Sequence, residues 1–72
     1  MSKQKNKDRM HNRITERMDV RKQNVEILLE KINEYMGHEK WFKAQSFALE
    51  VVNILEALRE DAKTVKSLKE ML

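Results

Sequence analysis

Apolar residues in the second half of the chain recur in steps of three and four: Trp41, Ala44, Ala48, Val51, Leu55, Leu58, Ala62 and Val65. That spacing is one face of a long α-helix. Lys69 interrupts the series and Leu72 resumes it, while Phe47, Val52, Ile54 and Leu68 lie beside it and widen the stripe. One partner helix does not cover so broad a stripe, so it predicts a bundle whose other helices come from the same chain or from a second one. In the first half, Ile14, Met18, Val25, Leu28, Ile32 and Tyr35 hold seam positions, with Leu29 and Met36 beside them. His11 and Arg21 stand where the second half has aliphatic residues. The first helix is therefore expected to be firm near its end and looser near its start.

The reversal is expected at Gly37, the only glycine in a chain without proline. A glycine directly after Tyr35 and Met36 suits the left-handed conformation that closes a helix, and the apolar period restarts at Trp41. A continuous helix is the competing reading, since one glycine costs only about 1 kcal/mol against alanine. The resulting division is a flexible basic arm over residues 1–7 and a hairpin over 8–72. Within the hairpin, the first helix spans about 8–36, the turn about 37–40 and the second helix about 41–72. Asp8 or Asn12 is expected to cap the first helix. Closing the hairpin near His38 sets Tyr35 level with Trp41, Leu28 with Ala48 and Met18 with Leu58. Phe42, Phe47, Ile54 and Leu68, along with Leu29, then remain as apolar flanks for an oligomer or a partner. The expected fold class is all-α: an antiparallel two-helix hairpin dimerising into a four-helix bundle.

Composition narrows this further. At 72 residues without cysteine, neither disulfides nor a structural zinc site reinforces a core of marginal size, and oligomerisation is the remaining device. The longest aliphatic run, Ile27 to Leu29, is far below the roughly 20 residues a bilayer span needs. No apolar signal segment follows the basic start, and a cysteine-free, charge-rich chain is expected in the cytoplasm. Charged residues make up 38% of the chain and aromatic residues 6%, a balance typical of long solvated helices around a narrow core.

The charges are unevenly placed. Lys5, Arg9, Arg13, Arg17 and Arg21 stand four apart as a basic ridge, and Glu26, Glu30 and Glu34 follow at the same spacing. Both blocks oppose the helix dipole, which favours acids at the N-terminus and bases at the C-terminus. Residues 1–22 carry eight bases and three acids, a net of +5, which leaves −2 for the other fifty. The ridge is therefore a candidate contact for a partner or for phosphate. The alternative is pairing inside the hairpin, Arg17 and Arg21 with Glu56 and Glu60.

Catalysis is not expected. Ser2, Ser46 and Ser67 have no neighbouring histidine base, the single glycine rules out a phosphate loop, and His11 and His38 lie too far apart to share a metal, so no cofactor is expected. What remains is a small interaction or regulatory protein that pairs with itself as a dimer. It would offer a helical hairpin and a charged helix face to another protein. The alternative is a small nucleic-acid-binding regulator that contacts phosphates through the basic half of the first helix.

Overall fold

The computed structural model describes residues 2–71, with side chains at residue 6 and residues 8–70. Helix α1 (Ser2–Gly37) and helix α2 (Trp41–Met71) pack side by side in opposite directions, joined by three residues. The hairpin expected from the periodicity is the observed fold. Helix α1 passes through Asp8 and Asn12, so neither caps it, and its backbone is helical back to Ser2. The side chains at 1–5 and 7, Lys5 among them, lie outside the described residues.

The turn forms two residues later than glycine chemistry suggests. Gly37 is the last residue of α1 and has no positive φ, whereas Glu39 does, at 57°. The Lys40 N–H donates to the Tyr35 carbonyl at 2.8 Å and the Glu39 N–H to the Met36 carbonyl at 3.0 Å. This is the paired 6→1 and 5→2 pattern of a Schellman closure, with Glu39 in the left-handed position. The Lys40 carbonyl then accepts from Ala44 N–H at 3.1 Å, so the residue that ends one helix also starts the other. Left-handed backbone at a residue with a Cβ costs about 1–2 kcal/mol, and a glycine inside a helix costs about 0.5–1 kcal/mol. A Cβ on Gly37 meets nothing within 4 Å. Glu39→Gly and Gly37→Ala are therefore each expected to stabilise the hairpin by about 1 kcal/mol, read as a rise in the thermal midpoint. A loss of stability in Gly37→Ala would place the left-handed residue back at Gly37.

Centring the reversal on Glu39 shifts every pairing along the hairpin from the expected levels. Tyr35 stacks on Phe47, with ring centroids 5.5 Å apart and planes 7° from parallel. Arg17 reaches Asp61. In α1 the residues turned inward are His11, Ile14, Met18, Arg21, Val25, Leu28, Ile32 and Tyr35, the expected seam with both polar interruptions in place. In α2 the seam is Ala44, Phe47, Val51, Ile54, Leu58, Asp61, Val65 and Leu68. Ala44, Val51, Leu58 and Val65 were expected there. Phe47, Ile54 and Leu68 were expected on the flank, and Leu68 is only 7% exposed. Trp41 and Leu55, expected in the seam, are 61% and 49% exposed.

The particle is a rod, 57 × 15 × 12 Å, with a radius of gyration of 16.5 Å. A compact domain of this length would have about 11 Å. Two helices give each side chain only one neighbouring helix, and among the described residues no large side chain is fully buried.

Candidate functional site

Three features of the rod are candidates for function: a polar lock in the seam, an apolar flank along one edge, and a basic open end. Each follows from which line of α2 turns toward α1.

The lock is Asp61, the buried polar residue of the described core, 7% exposed. Its carboxylate accepts from Arg17 Nη2 at 2.6 Å, from Arg17 Nε at 3.3 Å, and from Arg21. Arg17 and Arg21 are thus brought together, but on Asp61; the expected partners Glu56 and Glu60 do not receive them. Charge-assisted contacts of this kind are strong and directional. Sequence reasoning missed Asp61 because it counted Ala62 as the seam residue. The available signal was the arginine already assigned to the α1 seam, which calls for an acid in the facing seam, although the expected levels set Leu55 there and not Asp61. Nearer the open end the Nε2 atom of His11 is buried with no hydrogen-bond partner, a local cost where the seam was expected to be loose.

The two edges of the hairpin differ. On one edge the Tyr35–Phe47 stack carries a lysine on each ring, Lys31 over Phe47 at 5.5 Å and Lys43 over Tyr35 at 5.4 Å. Each lysine comes from the opposite helix, which ties the turn end together by about 0.5–1 kcal/mol per contact. Further along this edge Asn24, Ile27, Leu28, Glu50 and Ile54 line an open groove. Glu50 is its one titratable group, so nothing there converges on a reacting atom.

The opposite edge is apolar. Trp41, Ala48, Leu55 and Ala62 stand seven apart along α2, immediately beside the seam, with Val52 next to them; Leu29 and Met36 hold the matching line of α1. In antiparallel helices these two lines border the same side of the seam. Leu29, Met36, Trp41, Val52 and Leu55 are all about half exposed or more. Phe42 is 81% exposed but lies on the outer face of α2, away from this line. Of the residues expected as apolar flanks, Phe42 and Leu29 remain open to solvent, while Phe47, Ile54 and Leu68 face α1. The helical spacing assigns Trp41 and Leu55 to the apolar stripe of α2, but to its seam and not to its open edge.

At the open end the hairpin sets the start of α1 beside the end of α2. Residues 1–22 and 59–72 together hold twelve bases and six acids, a net of +6, and residues 23–58 hold three bases and six acids, a net of −3. Arg9 and Arg13 are exposed on α1, as are Lys66 and Lys69 on α2, and none of the four pairs with a described carboxylate. The ridge read from sequence is thus split: Arg17 and Arg21 are held by Asp61, and Arg9 and Arg13 are free to meet a partner.

Among the described residues no group of histidine, cysteine, aspartate or glutamate is placed to hold a metal. No helix in the described residues is long and apolar enough to cross a membrane. The chain matches no family model, no curated protein and no solved structure.

Proposed function

We propose that this protein is a non-enzymatic interaction protein of the cytoplasm that acts as a self-associating helical hairpin, two copies forming a four-helix bundle whose charged faces meet another protein. The observation that carries this reading is the apolar edge of Leu29, Met36, Trp41, Val52 and Leu55, exposed in the lone hairpin. Singly scattered apolar residues need no explanation, but a contiguous line beside a helical seam marks an interaction surface. The edge from Trp41 to Ala62 runs about 30 Å at 1.5 Å per residue, and across a rod 15 Å wide it offers an area on the order of 500 Å² per copy, the scale of a small self-association interface.

Sedimentation equilibrium at micromolar concentration tests this. The wild-type chain is expected to run as a dimer and Leu55→Asp as a monomer with its helical circular dichroism retained, because Leu55 is half exposed in the lone hairpin. A wild-type monomer with a sharp melt would remove the proposal.

The open end supports a second reading, a nucleic-acid-binding regulator. Its carrying observation is the set of exposed cations that the hairpin gathers from both ends of the sequence. Duplex binding is expected to weaken equally for all sequences in Arg9→Gln/Arg13→Gln, with the slope of log affinity against log salt reduced by up to about 1.8. Stability should move by less than about 1 kcal/mol, as for other exposed charges. A duplex that fails to bind at low salt decides against this reading.

A further inference from the structure

Along the apolar edge of α2, large and small residues alternate at a spacing of seven: Trp41, Ala48, Leu55, Ala62. A second copy laid along this line in the opposite direction can set large against small at every step. With the two-fold axis midway between Ala48 and Leu55, Trp41 of one copy falls on Ala62 of the other and Leu55 falls on Ala48. Val52, half exposed beside the line, then lies next to the axis and meets its own equivalent. Laid in the same direction, turn beside turn, the same axis rule would put α2 against α1 of the second copy and leave this alternation unused.

Charge points the same way. The open part of the hairpin carries +6 and the turn part −3. Reversing one copy against the other sets the two basic open parts at opposite ends of the pair, whereas aligning them stacks one basic part on the other. A two-fold contact of one surface with itself is also the form in which most homodimers close.

We propose that the chain pairs as an antiparallel dimer through the α2 edge, with Trp41 seated on Ala62 and Leu55 on Ala48 of a second copy, the turn of each hairpin against the basic half of the other. This rests on the self-association proposed above and adds the surface and the direction of the contact.

The absence of cysteine makes the test direct. His38 is exposed at the turn, and a spin label on His38→Cys reports the distance between the two turns. In the antiparallel pair the labels are separated along the rod by on the order of 40 Å, at 1.5 Å per residue to the axis and back. Labels within about 20 Å, in a chain that sediments as a dimer, would overturn the direction while leaving self-association standing. A monomer would overturn both.

The pairing itself is tested on Ala62, which is exposed in the lone hairpin. Ala62→Leu is expected to weaken dimerisation at least about tenfold by setting large on large. Adding Trp41→Ala should recover part of that loss by returning a small residue to the opposing position. Dimerisation unaffected by Ala62→Leu, or a double variant no better than the single one, would overturn the proposed pairing.

Discussion

Leu28→Ala is expected to lower the stability of the hairpin by about 2–5 kcal/mol, the range for removing a buried leucine side chain. Leu28 is 9% exposed, packed in the middle of the rod where the seam has no polar interruption. A chain of this length has only about 4–11 kcal/mol in total at typical values per residue, so the loss is a large part of the whole. Leu55→Ala provides the contrast. Leu55 is half exposed in the lone hairpin, so its truncation should cost little within one chain and act mainly through association. Chemical denaturation across a hundredfold range of protein concentration separates the two. The Leu55→Ala deficit should fade as dilution separates the copies, whereas the Leu28→Ala deficit should persist. Equal, concentration-independent losses would mean that Leu55 belongs to the seam after all.

Asp61→Ala should be nearly as damaging. Removing one member of a buried ion pair ordinarily costs about 3–5 kcal/mol, because the remaining charge is left without a partner in a poorly solvated site. Here the guanidinium groups have an escape, since the side chain of Arg17 is 54% exposed and that of Arg21 30%. A loss of about 2–3 kcal/mol is the expected result, measured by urea denaturation. The companion variant Asp61→Leu/Arg21→Leu completes the apolar seam and should recover that loss or exceed it, as replacements of buried ion pairs by apolar groups often do. Its cost should appear in uniqueness. With the lock gone, α2 can turn its other apolar line toward α1, and the variant should show a broader melt and more than one oligomeric species by sedimentation velocity. A single species with a sharp melt would show that the lock is not needed to choose the seam. An Asp61→Ala variant as stable as wild type would show that the two arginines gain nothing from it.

The helices, their reversal just before Trp41 and the entire seam of α1 are legible in the residues themselves. Periodicity suffices in α1 because its apolar stripe is narrow: the line through Ile14, Met18, Val25, Leu28, Ile32 and Tyr35 has few apolar neighbours, so one inward face satisfies it. The turn was legible in place but not in detail, because glycine preference favours Gly37 while the backbone hydrogen bonds close two residues later, on Glu39. That small displacement changes which side chains meet across the whole hairpin.

In α2 the residues alone could not choose. Ala44, Val51, Leu58 and Val65 serve two seams equally well, one completed by Trp41, Ala48, Leu55 and Ala62, the other by Phe47, Ile54, Asp61 and Leu68. Counting apolar residues favours the first, since the second contains an aspartate. The tertiary structure selects the second, because α1 brings Arg21 to the level of Asp61 and Tyr35 to that of Phe47. Paired charge and stacked rings then outweigh two alanines, Leu55 and a solvent-facing tryptophan. Composition and periodicity determine that this chain is a helical hairpin with more apolar surface than one hairpin buries. Only the packing of α2 on α1 decides which line of residues is left outside, because that choice depends on contacts between residues 12 to 44 positions apart that no local pattern records.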